Sequence, residues 1–153
     1  NNTMSVNNKI SKIRWKTSNT AVFNCSYHFI WSPKFRRPVL TDKISTRLQI
    51  LIEEKCEAMN WTIKALEIMP DHVHLFISTE PSSAPQFIIG QIKGYTSRFL
   101  RSEFPELKRK LPTLWSRSYY VDTVGCLRED TIKTYIEQQK NESKYFNQKS
   151  SHS

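Results

Sequence analysis

The chain has 153 residues, with 23 Lys and Arg against 14 Asp and Glu, a net charge of +9, and no apolar run near membrane-spanning length. A basic excess of this size points to a polyanionic partner, nucleic acid before a membrane surface, because no basic amphipathic segment with a wide apolar face is found. The only glycines, Gly90, Gly94 and Gly125, cannot build a Gly-x-x-x-x-Gly-Lys loop, which excludes a P-loop hydrolase and argues against a nucleotide cofactor.

Cys25, Cys56 and Cys126 form no Cys-x-x-Cys pair, so neither a zinc knuckle nor a dithiol redox motif is present; reduced thiols in a cytoplasmic protein are expected. The start, Asn1-Asn2-Thr3-Met4, stays polar through Asn8 without a signal-peptide pattern, and translation beginning at Met4 is compatible with it. A chain of this length is expected to fold as one domain, 1–153, with its own core.

Residues 1–19 are polar and basic and read as a flexible arm. Ala21 to Trp31, rich in aromatic and β-branched residues, reads as a strand, broken by the basic loop Ser32-Pro33-Lys34-Phe35-Arg36-Arg37-Pro38. Thr41 or Asp42 then caps a helix to about Asn60, with Ile44, Leu48, Leu51, Ile52 and Cys56 on one side. Trp61 to Ile68 and His72 to Ser78 read as strands around the turn Met69-Pro70-Asp71. After a linker, Pro81 to Pro85, a helix is predicted over Gln86 to Ser102, with Ile88, Ile92, Tyr95 and Phe99 as its apolar stripe. Leu114 to Val124 reads as a fourth strand, punctuated by Gly125; a last helix spans Glu129 to Tyr145, and 147–153 is a polar tail. The order β-α-β-β-α-β plus a helix predicts an α+β, ferredoxin-like (RRM-like) fold: an antiparallel four-stranded sheet with helices on one face, followed by a C-terminal helix.

The run Met69-Pro70-Asp71-His72-Val73-His74-Leu75-Phe76-Ile77 carries the chemistry. Alternation along a strand puts His72 and His74 on one face and Val73 on the other, so two imidazoles form a half-site for a divalent metal. Paired surface histidines are the commoner meaning of such a motif, but Leu75, Phe76 and Ile77 make the strand look central, and buried imidazoles without partners are costly. Several His-x-His families do not fit. A histidine-triad hydrolase needs a third histidine where Phe76 stands, two-histidine phosphoesterases need Ser or Thr two residues after each histidine, amidohydrolase barrels are far longer, and cupins need many glycine turns. His28 either lines the sheet near the pair or bonds within the core, the second being the expectation.

The motif resembles that of HUH nucleases, named for His, a hydrophobic residue and His. The resemblance extends to the small TnpA-type single-tyrosine transposases of bacterial and archaeal insertion sequences. Tyr27-His28-Phe29-Ile30-Trp31-Ser32-Pro33-Lys34-Phe35-Arg36 is similar to their opening strand, and Gln91 to Phe99 to their second helix. Leu114 to Gly125 resembles their last strand and hinge, and Tyr135-Ile136-Glu137-Gln138-Gln139 their catalytic helix. From spacing alone, Tyr135 packs on the sheet with Ile132 and Ile136; beside the histidine pair and the resemblance it becomes the nucleophile, one helical turn from Gln139.

The resemblance implies a transposase that cuts and rejoins single-stranded DNA at hairpin-bearing element ends through a 5′-phosphotyrosine. One Mg²⁺ or Mn²⁺ per active site is then held by His72, His74 and Gln139. It also implies a homodimer joined through the first strands, a hinge at Gly125 ahead of a catalytic-helix region 126–146, and a prokaryotic, cytoplasmic, nucleoid-associated setting. Lys34, Arg36, Arg37, Lys93, Arg98 and Arg117, with the arm residues Lys9, Lys12, Arg14 and Lys16, are candidates for phosphate contacts. The alternatives are a domesticated tyrosine nuclease acting on repeated palindromes, and a non-catalytic single-strand-binding module.

Overall fold

The computed structural model describes residues 22–128, together with the helical positions 138, 140 and 141. The chain divides into two compact units, 24–125, and 1–23 together with 126–153; the elements below belong to the first apart from residues 22–23 and 126–128. The expected N-terminal arm, and Tyr135 and Gln139 of the expected catalytic helix, lie outside the described residues.

Strand β1 (Val22–Trp31) leads through a 3-10 turn at Lys34–Arg36 to helix α1 (Asp42–Ala58). Strands β2 (Thr62–Met69) and β3 (His72–Thr79) follow as a hairpin, then α2 (Pro85–Glu103), a short α3 (Pro105–Lys110) and β4 (Tyr120–Arg128). The four strands form one sheet in the order β2-β3-β1-β4, the order of a split β-α-β arrangement, as the sequence pattern predicts. β1 and β2 both pair antiparallel with β3, and the β2 register shifts between Ile63 and Ala65.

Period-two alternation sorts the sheet into two faces. Tyr27, Phe29 and Trp31 of β1 lie opposite Ile77, Leu75 and Val73 of β3, and all six are buried. Leu48, Leu51, Ile52 and Cys56 of α1 are also buried, as are Ile88, Ile89, Ile92 and Leu100 of α2. α1 packs on both α2 and β2. Each such aliphatic side chain contributes roughly 1.5–3 kcal/mol by leaving water. The other face carries His28 opposite Phe76 and Ile30 opposite His74, all partly accessible.

Pro105 stops α2. The residue before a proline is pushed out of helical space, and Phe104 sits at φ −122°, ψ 83°. The helix restarts at Pro105, whose fixed φ suits a first helical position. This short α3, with one buried apolar residue, Leu107, has no periodic stripe and was not expected.

Three other expectations need correction. The fourth strand begins at Tyr120, not Leu114. Leu114 and Trp115 are buried loop residues: Trp115 bridges to Pro33, its indole N–H donates to Thr96 Oγ1 at 3.0 Å, and its ring stands edge-on to Trp31. They are apolar because they fill the core, not because they form a strand. Gly125 lies inside β4 rather than after it, with a negative φ and open space where a Cβ would stand. Finally, β1 is flanked by β3 and β4, so both its edges are taken and it has none to offer a second copy; the sheet's outer strands are β2 and β4.

Cys56 is a free, buried thiol, as expected, whereas Cys25 and Cys126 are not free, which corrects the expectation for those two. No helix among the described residues is long and apolar enough to cross a membrane.

Candidate active site

The hairpin between β2 and β3 starts the site. β3 opens on His72, and its alternation aims His72 and His74 at the open face while Val73 enters the core with no exposure. The two rings stand 5.1 Å apart, edge to face.

Each imidazole is held by its Nδ1. His72 Nδ1 lies 2.7 Å from Asp71 Oδ1, and His74 Nδ1 lies 3.3 Å from Nε2 of His28 on the neighbouring strand. An ionised carboxylate can only accept, so His72 donates from Nδ1, and in the neutral imidazole that tautomer leaves a lone pair on Nε2. His74 does the same in the tautomer that donates to His28. This is how protein frameworks prepare imidazoles for metal ligation: the far nitrogen is fixed by a partner and the near one is left free. Arg36 completes the chain, its guanidinium 3.6 Å from the second oxygen of Asp71. The His72 hydrogen bond, helped by the charge of Arg36, holds the Asp71 carboxyl below its usual range.

The histidine pair borders a cavity of about 670 Å³ walled by the β1 end and basic turn (Ile30–Arg36), by His72 and His74, and by Ser116, Ser118, Tyr119 and Tyr120. That volume falls within the roughly 300–1,000 Å³ of small-ligand sites. The walls are tied together by backbone bonds, Lys34 N–H to the Leu114 carbonyl at 2.8 Å and Ser116 N–H to the Ser32 carbonyl at 3.0 Å. Lys34 and Arg36 bring positive charge to the rim. Two imidazole nitrogens are half of a metal site. Among the described residues no group of three or more His, Cys, Asp or Glu side chains converges to hold an ion, so a metal here needs a donor beyond that set.

The remaining expected DNA contacts scatter. Arg37 is exposed beside the turn, and Arg117 is exposed between Ser116 and Ser118 of the cavity wall. Lys93 of α2 is half-buried. Its ammonium donates to the Ser116 carbonyl at 2.5 Å and lies 5.9 Å from the Tyr119 ring, and burial pushes its pKa down. That hydrogen bond braces the cavity wall. Arg98 belongs to another shallow groove on α2, with Lys55, Gly90, Gln91, Gly94 and Tyr95, and stacks 5.7 Å from the Phe99 ring.

His28, expected to bond within the core, instead stands on the open face beside His74, and Asp71 was missed as a site residue. Asp71 had a signal, an acidic residue directly before the His-x-His run. His28 had only its strand parity, and the β1–β3 register that sets it beside His74 is not written locally.

Fold and site together define a ferredoxin-like α+β protein whose sheet carries an oriented pair of imidazoles at a basic cavity. The model of the family described as "Transposase IS200 like" matches residues 21–139. The ISDra2 transposase TnpA of Deinococcus radiodurans is 32% identical over 132 residues, 85% of this chain and 94% of that protein. The transposase for insertion sequence element IS200 of Salmonella typhimurium is 33% identical over 124 residues, 80% of this chain and 81% of that one. A crystal structure of a Deinococcus radiodurans protein described as a transposase superposes with a TM-score of 0.64 at 34% identity, covering 80% of this chain and 96% of that one. A REP-associated tyrosine transposase bound to a REP hairpin shares the fold, with a TM-score of 0.52 at 15% identity over 70% of this chain and 59% of that one.

The chain belongs to the IS200-like transposase family. It is a DNA-processing enzyme of the IS200-like transposase type, acting in the transposition of an insertion sequence.

Proposed function

We propose that this transposase cuts and rejoins single-stranded DNA next to hairpins at the ends of its element. The observation that carries this reading is the pair His72 and His74, each held at Nδ1, facing a cavity rimmed by Lys34 and Arg36. A phosphodiester brought there meets positive charge from the rim, beside two imidazoles whose free nitrogens suit a divalent ion rather than the phosphate itself.

Tyr135 is the nucleophile of this proposal. Its phenolate oxygen attacks phosphorus, the bond from phosphorus to the 3′ oxygen breaks, and the strand leaves as a free 3′-hydroxyl. A 5′-phosphotyrosine remains, which a second 3′-hydroxyl reverses to join strands; bond energy is conserved, so no nucleotide is hydrolysed. Mg²⁺ or Mn²⁺, held by His72, His74 and Gln139, would supply Lewis-acid charge at the phosphate oxygens. Asp71 and His28 keep the two imidazoles in the ligating tautomer, and Lys93 keeps the Ser116 wall in place.

We further propose a homodimer joined through β4. It is an outer strand of the sheet, and it exposes Tyr120 and Val124, each at 57%. An outer strand with exposed apolar side chains is a template for pairing with a second copy.

The test is cleavage of a labelled single strand carrying the element's end hairpin. The proposal expects cutting and strand joining with Mg²⁺ or Mn²⁺, and none with a chelator or with the same sequence as a full duplex. Cutting of the duplex, or cutting in chelator, would overturn it.

A further inference from the structure

Phe35 contradicts two rules at once. It is a large apolar side chain left 70% exposed, and its backbone is left-handed at φ 60°, ψ 18°. Arg36 follows at φ 51°, so two successive L-residues occupy a region that glycine enters freely and side chains disfavour. A turn needing only this shape would be relieved by glycine and would gain nothing from an aromatic in water. Strain kept by the surrounding structure is a mark of function. Here the surroundings keep it. Arg36 N–H bonds the Pro33 carbonyl at 2.9 Å, Lys34 N–H is fixed to Leu114, and the Arg36 guanidinium is drawn toward Asp71.

The consequence is a ring displayed at the rim of the cavity that His72 and His74 border. Cations flank it in sequence, and the Lys34 ammonium lies 5.4 Å from its centroid. An exposed aromatic between phosphate-reading cations is the device by which proteins hold single strands: charge follows the backbone and the ring stacks on a base. In a duplex the base faces are already covered, so such a ring also favours unpaired DNA.

We infer that Phe35 is a stacking platform that seats one unpaired base beside the phosphate presented to His72 and His74. The inference rests on the single-strand reading above and adds the residue that positions the strand within the cavity.

The experiment uses the full-length protein and two labelled probes of equal length, an oligothymidylate and an oligomer of abasic nucleotides, followed by fluorescence anisotropy. Both probes carry the same phosphates; only the first has bases to stack. The wild type prefers oligothymidylate. Phe35→Ala weakens that complex on the order of 10-fold, as removal of one stacked base does, and leaves the abasic complex unchanged. Phe35→Trp keeps the preference. Phe35→Gly loses it while the melting temperature holds or rises, which separates stacking from any need of the fold for this side chain. Unchanged oligothymidylate affinity in Phe35→Ala overturns the inference and leaves the transposase reading standing. An equal weakening for both probes also overturns it, because that marks a defect in holding phosphates. A wild type that binds neither probe removes the single-strand reading as well.

Discussion

Nε2 of His28 lies 3.3 Å from Nδ1 of His74, joining two strands whose residues are 46 apart in the sequence. With Asp71 on His72, it gives each imidazole of the motif an outer partner. Such partners typically govern metal affinity by about 10- to 100-fold. His28→Ala and Asp71→Ala are each expected to weaken Mn²⁺ binding within that range, read by calorimetry, while circular dichroism stays native. Asp71→Asn, which still accepts the bond, should lose less. Equal Mn²⁺ affinity in all three variants would show that the outer partners do not prepare the pair.

Lys34 and Arg36 stand on the cavity rim, whereas Arg98 belongs to a separate groove. Removing a cation that touches a phosphate lowers the salt dependence of binding. For single strands, the slope of log affinity against log salt should fall by roughly 0.7 for each phosphate no longer neutralised. Lys34→Ala and Arg36→Ala are expected to show this with any single-strand sequence. A full wild-type slope in the double variant would place the strand elsewhere.

The loop ahead of β4 is also anchored by a buried side-chain hydrogen bond. Trp115 donates its indole N–H to Thr96 Oγ1, and that hydroxyl donates back to the Ile92 carbonyl at 2.8 Å. Thr96→Val keeps the volume but leaves the indole donor unpaired, at a cost of about 1–3 kcal/mol. Thr96→Ser keeps the acceptor and should be milder. Urea denaturation checks the difference, and equal stability of the two variants would contradict the assignment.

Burial of Cys56, which is 1% exposed, pushes its thiol up to about 12 from an ordinary 9.0. The folded state therefore favours the protonated thiol. The stability this contributes is complete below the unfolded value and is lost as pH rises toward 12. The native protein should resist iodoacetamide at Cys56 in mildly alkaline buffer and react once denatured, as mass spectrometry would show. Labelling of the native thiol at the denatured rate would contradict the burial.

The strands and main helices were legible because burial imposes a period. Val73, Leu75 and Ile77 alternate with His72, His74 and Phe76, and Leu48, Leu51, Ile52 and Cys56 recur at helical spacing. The stretch from Leu114 was misread because hydrophobicity reports burial and not conformation; Trp115 is buried in a loop as Trp31 is in a strand. The short α3 lacks the length for a pattern. Of the candidate site, the His72/His74 pair was legible through strand parity, whereas the hydrogen bond between His28 and His74 depends on pairing between distant strands. The left-handed turn at Phe35 carries no glycine or asparagine to announce it, so it is not legible in the sequence.

Covalent trapping would catch a metal-assisted attack by Tyr135 on single-stranded DNA in the act. A labelled strand from the element's own end is incubated with protein and Mn²⁺ and run on a denaturing gel. A protein–DNA adduct is expected, and it disappears in Tyr135→Phe, in His72→Ala and on chelation. An adduct that persists in Tyr135→Phe, or tight hairpin binding with no adduct under any metal, would contradict it.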